Sequence, residues 1–243
     1  MKIIINGAGG RMGRALSAMI AQRPDITVVG AVDPFVREPG FLESLADCPA
    51  GADCILDFSN HAGTEALLDY AVKTHTPVVI STTGHTPQES AAIEEASRQI
   101  PIFWSGNMSV GIAVLTRLAR EAAAMFPDAD IEIVESHHNQ KLDVPSGTAL
   151  MLARSVQQAR PDSEFLIGRH ENGKREKRHI GIHSLRMGNT VGIHEVIINT
   201  GTQIITLKHE AQDRALFAEG ALTAAAFLAP LEPGLYNMDD LVK

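Results

Sequence analysis

Two rhythms of apolar residues divide this chain. Over roughly the first hundred residues, short apolar runs alternate with stretches whose apolar residues recur at helical spacing. The runs are III at 3–5, ITVVGAVD at 26–33, ADCILDFS at 52–59, TPVVIST at 76–82 and IPIFWSGNMS at 100–109. After the first run, RALSAMIAQR places Ala15, Leu16, Met19 and Ile20 at helical spacing, and 64–74 and 87–99 also read as helices. Strand–helix alternation of this kind predicts an α/β sheet. A helix over 109–126, a strand over 130–136 and a helix over 148–160 follow. From Ile180 the period changes to two: IGIHSLRM, TVGIHEVIINT and TQIITLKHE, separated by Gly188-Asn189 and by Gly201, predict three strands joined by short turns. A sheet of hairpins after an α/β region predicts a second domain of α+β type. The alanine-rich helix over 213–229 is expected to pack back on the first domain. The expected division is therefore 1–108, with 213–243 returning to it, and 109–212.

Composition narrows the class. The chain has 243 residues, 44% of them hydrophobic and 21% charged, enough apolar material for a substantial core. A net charge of −8 argues against a broad nucleic-acid-binding face. A small anionic ligand would need local positive groups or backbone N–H donors. One basic island, GRHENGKREKRHIGIH at 168–183, holds Arg169, Lys174, Arg175, Lys177 and Arg178. It reads either as a solvated loop or as a positive field for an anionic substrate or a subunit contact. The two cysteines, Cys48 and Cys54, are expected to be reduced thiols. No window approaches the roughly 18 apolar residues of a membrane span, and the N-terminal run is too short for a signal peptide. A soluble cytoplasmic protein without a membrane partner is expected.

The first chemistry-bearing motif is NGAGGRMG, with Gly7, Gly10 and Gly13 between a strand and a helix. A tight turn there lets the backbone approach a pyrophosphate, and the helix N-terminus turns its free N–H groups toward it. Asp33 closes the next strand, where a carboxylate can accept hydrogen bonds from both hydroxyls of an adenosine ribose. An acid there repels a 2′-phosphate, so NADH is expected to be preferred, with NADPH the second choice; Arg11 and Arg37 pull the other way. Ligands of such sheets sit at the carboxyl ends of the strands, which points to Ser81, Thr82 and Thr83 and to Ser105, Gly106, Asn107 and Met108.

The second motif is ESHHNQKLDVPSGTA at 135–149. Adjacent histidines on a strand point to opposite faces, and no ligand set completes a zinc site, so no metal is expected. PSGTA is not the G-x-S-x-G elbow of a nucleophilic serine. What fits is an anion pocket with a proton donor. Ser146, Gly147 and Thr148 open a helix whose N–H groups can bind a carboxylate, Lys141 adds a positive charge, and His137 titrates near neutrality.

Together GAGGRMGR, TTG at 82–84, NMSVG at 107–111 and the 135–149 run resemble the 4-hydroxy-tetrahydrodipicolinate reductase family. The resemblance covers nearly the whole chain. It implies a Rossmann-like dinucleotide-binding domain joined to a substrate and tetramerisation domain with a mixed sheet. It implies hydride transfer from the nicotinamide to C4 of a dicarboxylic substrate in lysine and diaminopimelate biosynthesis, with loss of water from the hydroxy form. It implies His137 as general acid/base and Lys141 as proton donor; the residues leave open which of the two delivers the proton. His138, Ser146, Gly147 and Thr148 are implied as binders of the substrate carboxylates, and Arg214 as a basic residue facing the substrate. The cofactor contacts implied are Gly7, Ala8, Gly9, Gly10, Arg11, Met12, Asp33, Ser81, Thr82, Thr83, Ser105, Gly106, Asn107 and Met108. Two departures from the family stand out: Ser81 replaces a common glycine, and the stretch between Asp33 and Asp57 is short, so one element there is expected to be trimmed. Rival readings are a reductase of another imino or keto acid, of aspartate dehydrogenase-like type, and a dinucleotide-sensing binding protein that is not an enzyme.

Overall fold

Ile3, Ile4 and Ile5 have no exposed surface, and the strand they build (β1, Lys2–Asn6) is the spine of the first structural unit. The computed structural model describes residues 1–243 and divides into two units, Met1–Ser109 with Ala215–Lys243, and Val110–Arg214.

In unit 1, β1 pairs in parallel with β2 (Thr27–Val32) on one side and β3 (Cys54–Asp57) on the other. β4 (Val78–Ile80) and β5 (Pro101–Trp104) continue the parallel sheet. Their continuous apolar runs have the composition of strands buried on both faces. Helices α1 (Arg11–Ile20), α2 (Thr64–Thr74) and α3 (Pro87–Ala96) connect them. α3 starts where sequence says it should: Thr86 and Glu89 form a capping box and Pro87 opens the first turn. Between β2 and β3 there is no α-helix, only a single 3₁₀ turn at Leu45–Asp47, so the short stretch after Asp33 does lack an element. The helix α6 (Ala215–Leu228) belongs to this unit and packs on α1 and on β3, β4 and β5. A short strand the apolar pattern did not reveal, β11 (Gly234–Tyr236), adds to β5 in parallel. The full order is β11-β5-β4-β3-β1-β2. Cys48 and Cys54 are free thiols; burial pushes Cys54 up to about 12 and Cys48 up to about 11, so neither is a nucleophile at neutral pH.

Unit 2 is built on β6 (Asp130–His137), with α4 (Val110–Met125) and α5 (Gly147–Ala159) on one face. The strands β7 (Glu164–Ile167), β8 (His179–Arg186), β9 (Gly192–Asn199) and β10 (Ile204–Ala211) complete a mixed sheet, ordered β10-β9-β6-β8-β7. Ile131, Ile133, Ile180, Ile182, Val196 and Ile198 form its core with Leu152, Ala153 and Val156 of α5. Burying each such aliphatic side chain contributes about 1.5–3 kcal/mol.

The expected run of hairpins needs correcting. Only β9 and β10 form one. β8 and β9 do not pair; β6 lies between them, parallel to β8 and antiparallel to β9. The turn from β8 to β9 passes over the end of β6, where Met187 N–H donates to His137 O (2.9 Å) and Asn139 N–H donates to Gly188 O (3.1 Å). A short turn can do this because the span is only two strand spacings, about 10 Å. Alternation along each strand is unchanged by the insertion, which is why sequence could not reveal it. No helix of the structure is long and apolar enough to cross a membrane.

Candidate active site

The glycine loop is shaped by close approaches. Gly7 has φ +80°, and a Cβ on it would lie 2.5 Å from Phe58 O. A Cβ on Gly13 would collide with Gly7 O and lie 2.5 Å from Ala8 Cα, so α1 can pack this tightly only with glycine. Gly10 is the N-cap of α1 and supplies no side-chain cap, so the first turn, with Arg11 and Met12, keeps its N–H groups for a ligand. Asp33 braces the loop: Oδ2 accepts from Gly9 N–H and Oδ1 from Phe35 N–H, both at 3.0 Å. The uncapped helix start and the steric need for glycine fit a pyrophosphate cradle. Arg14 pairs with Glu38 and Arg37 with Glu43, both at 3.0 Å.

At the ends of β4 and β5, Thr82, Thr83, Gly84, His85, Ser90, Trp104, Ser105 and Gly106 line a concavity of about 330 Å³. Four of the expected cofactor residues therefore share one surface. Thr82 Oγ1 accepts from Ser59 N–H (3.0 Å), and Ser105 Oγ donates to Asn107 O (2.8 Å), so both hydroxyls also order their own loops. Ser81 N–H bonds Asp57 O, and Met108 is 1% exposed, which leaves Met108 as core. The carboxyl of Asp57 is pushed up by burial, against hydrogen bonds from Ser59, Thr82 and Asn6. A larger concavity of about 890 Å³ lies at the opposite end of the sheet, lined by Met1, Asp53, Pro77 and α6, away from every glycine-loop residue.

In unit 2, the stretch 135–149 folds around one carboxylate. Glu135 has no exposed surface and accepts four hydrogen bonds. Oε2 takes His137 Nδ1–H (2.5 Å) and Arg186 Nη1–H (2.9 Å); Oε1 takes Arg186 Nη2–H (2.8 Å) and Ser146 N–H (3.2 Å). Burial alone would raise this carboxyl, but the bonds from His137 and Arg186 win and hold it well below the usual carboxylate range. Residues two apart on a strand share a face, so Glu135 and His137 lie together and His138 falls past the strand end. Because a carboxylate only accepts, the His137 proton sits on Nδ1 when the ring is neutral, leaving Nε2 as the reactive nitrogen. Gly192 makes room for it: a Cβ there would lie 3.1 Å from Nε2.

Ser146 caps α5, its Oγ accepting from Ala149 N–H at 3.2 Å, and is 1% exposed. Its hydroxyl is further engaged with His194 Nε2 at 3.3 Å, so it offers no free nucleophile. Gly147 is exposed at the helix start and a Cβ there would meet nothing within 4 Å, so a carboxylate can approach its backbone. Thr148 follows in the same first turn. Lys141 Nζ pairs with Asp143 Oδ1 at 2.8 Å. Arg214 is exposed beyond β10 and takes no part in these contacts. The structure has no cluster of three or more metal-ligating side chains. The basic island is tied down by its own chain: Arg175 bonds Asp130 and Glu132, Arg169 reaches Glu132, Arg178 pairs with Glu164 and Lys177 with Asp128.

Comparison with known proteins decides the family. Residues 1–108 match the profile of the dihydrodipicolinate reductase N-terminus, and residues 111–242 match that of the C-terminus. The chain belongs to the dihydrodipicolinate reductase family. The 4-hydroxy-tetrahydrodipicolinate reductase of Caldanaerobacter subterraneus subsp. tengcongensis is 44% identical, over 100% of this chain and 98% of that one. The enzyme of the same name from Clostridium novyi is 40% identical with the same coverage. A solved dipicolinate-bound dihydrodipicolinate reductase from Paenisporosarcina sp. TG-14 superposes with a TM-score of 0.77 at 24% identity, covering 98% of this chain and 97% of that one. Both sheets of this reductase-family chain are thus the family's fold, and it is a pyridine-nucleotide-dependent oxidoreductase.

Three groups at the centre of unit 2 escaped the sequence reading: Glu135 as an orienting group, Arg186 and His194. In the sequence Glu135 is only the first residue of the 135–149 run. The signal was its spacing of two from His137 within a strand. Arg186 and His194 gave none, because their approach depends on β6 inserting between β8 and β9.

Proposed function

We infer that the chain reduces 4-hydroxy-tetrahydrodipicolinate to tetrahydrodipicolinate with NADH or NADPH, in lysine and diaminopimelate biosynthesis. The observation that carries the chemical part of this reading is the hold of one buried carboxylate, Glu135, on both His137 and the start of α5. A proton carrier and a carboxylate cradle are the two things such a reduction needs from the protein.

The hydroxy substrate must lose water to become a conjugated carbon–nitrogen acceptor, and a bound nicotinamide would supply it with two electrons as hydride. Unit 1 holds that cofactor: the glycine loop takes the pyrophosphate, Asp33 the adenosine ribose, and the loops after β4 and β5 the remainder. NADH is the better partner, because Asp33 faces the ribose and Arg37, one of the two arginines that pull the other way, is paired with Glu43; Arg11 is the opposing group that remains. Unit 2 holds the substrate. The first turn of α5 at Gly147 and Thr148 binds one carboxylate, His138 and Arg214 assist, and Ser146 sets the turn's geometry. The proton comes from Lys141, paired with Asp143, or from His137, whose ring is fixed by Glu135. A positioned acid contributes roughly 10²–10⁴-fold.

The enzyme acts as a homotetramer in the cytoplasm. Support for assembly is the sheet face of unit 2 turned away from α4 and α5, where Ile204 is 64% exposed and Ile193 and Ile197 are half-buried. The deciding assay follows NADH oxidation on adding freshly made product of the preceding synthase. No oxidation with that substrate, but oxidation with oxaloacetate and ammonia, would favour the aspartate dehydrogenase-like alternative.

A further inference from the structure

We propose that Glu135 is a positioning residue that couples the proton-handling imidazole of His137 to the seat of the substrate carboxylate at the start of α5. The proposal rests on the functional reading above and goes beyond it by naming a residue that touches neither substrate nor cofactor.

Every acceptor position of Glu135 is used. The Arg186 fork fixes the plane of the carboxylate, one nitrogen on each oxygen. The two positions left are then fixed in direction. One receives His137 Nδ1–H and the other receives the Ser146 N–H. A plain counter-ion for Arg186 would need neither. Arg186 is itself held from behind, donating to Asp143 O (2.7 Å) and Leu185 O (2.7 Å). The strand β8, the 138–146 loop, the imidazole and the helix start therefore meet at one carboxylate.

His137 does not stand alone in the cluster. From β9, His194 packs edge-on against it, ring centroids 5.1 Å apart. His194 is 4% exposed; burial, and then the charge of His137, push it down to about 3, so it stays neutral. The other charged or titratable groups around the pair are Arg186 from β8, His209 from β10, and Lys141 with Asp143 from the loop. Pinning Nδ1 aims Nε2 outward, and pinning Ser146 N–H holds the first turn of α5 in register with that nitrogen.

The test uses Glu135→Gln and Glu135→Asp in the full-length enzyme. Expected for Glu135→Gln are a fall in kcat of about tenfold or more, a rise in substrate KM, and a shift of the alkaline limb of the kcat/KM profile, where a donor imidazole loses its proton, to lower pH by about one unit. NADH binding, read by fluorescence titration, should stay within twofold, and Glu135→Asp should recover part of kcat. A folded Glu135→Gln enzyme with the wild-type pH profile and an unchanged KM would overturn the proposal and leave Glu135 a structural ion. If Glu135→Gln does not fold, Glu135→Gln with Arg186→Gln removes both charges and is read the same way. A measurement independent of activity is nitrogen NMR of wild-type His137: the neutral ring should carry its proton on Nδ1, and the opposite tautomer would overturn the proposal. Failure of the wild type to oxidise NADH with the expected substrate would count against the functional reading alone, since the tautomer is read without substrate.

Discussion

Lys141 Nζ lies 2.8 Å from Asp143 Oδ1, across a turn in which Leu142 is 95% exposed. The pair holds the ammonium in place while leaving it partly exposed, as the proposed donor role requires. Hydrogen bonding from Lys141 is the first cause holding the Asp143 carboxyl below its usual range. Replacing Lys141 by Ala should lower kcat at least about a hundredfold while leaving NADH affinity unchanged. Steady-state kinetics with a fluorescence titration checks both halves; an unchanged kcat would hand the donor role to His137.

His138 leaves the strand just after His137 and is partly exposed, with no share in the Glu135 cluster. The role proposed for it is binding rather than proton transfer. His138→Ala should therefore raise KM more than it lowers kcat, the pattern of lost ground-state binding. A fall in kcat at constant KM would contradict this.

Cofactor choice turns on Asp33. Its carboxylate braces Gly9 and Phe35, and in the proposed cofactor pose it lies where a 2′-phosphate would sit. The ratio of kcat/KM for NADH over NADPH should exceed one, and Asp33→Ser should lower that ratio. A tenfold preference of the wild type for NADPH would refute the argument.

Gly13 offers a steric test. An added methyl group would strike the Gly7 and Ala8 backbone, which cannot swing away like a side chain. Gly13→Ala should cost on the order of 1–3 kcal/mol of stability and weaken NADH binding more than tenfold. Thermal melts with and without NADH measure the two effects separately.

Acid sensitivity follows from the ion-paired carboxylates. Glu135, Glu132 and Asp143 all have folded-state values below their ordinary ones. Their stabilising contribution is thus complete above roughly pH 4–4.5, where the unfolded groups ionise, and drains as pH falls below that. Asp57 has the opposite sign, because burial raises it and protonation relieves a cost. His194, pushed down to about 3 by burial, costs stability as pH falls below the ordinary histidine value of roughly 6.5, so the urea midpoint should decline from about pH 6.5 and fall more steeply toward pH 3.5 as the three carboxylates protonate. A midpoint that climbs over that lower interval would show that Asp57 dominates.

Sequence conveyed the cofactor unit almost entirely, because its elements are local. The run at 3–5, the glycines and Asp33 lie within one strand–helix–strand passage, and parallel strands buried on both faces announce themselves as unbroken apolar runs. The 135–149 motif was equally plain as a list of chemical groups. What it could not convey was the company they keep. Arg186 and His194 come from strands about fifty residues away, brought in by a strand order that leaves the alternation pattern untouched. β7 and β11 were missed because each is short and half-exposed, so no apolar run marks it. The basic island stayed ambiguous until Arg175 was seen folded onto Asp130 and Glu132.

The return of the chain to the first sheet sets the order in which the molecule can be finished on the ribosome. β1 to β5 emerge first, but the helix that covers them and the strand that closes β5 come only after all of Val110–Arg214 has been made. During that interval β5 is an open parallel edge and the seat of α6 is bare apolar surface, the two features that invite wrong partners. Unit 2, whose residues are contiguous, meets no such delay. The middle of the gene therefore encodes the part that can fold first, and the nucleotide-binding unit waits for Ala215–Lys243.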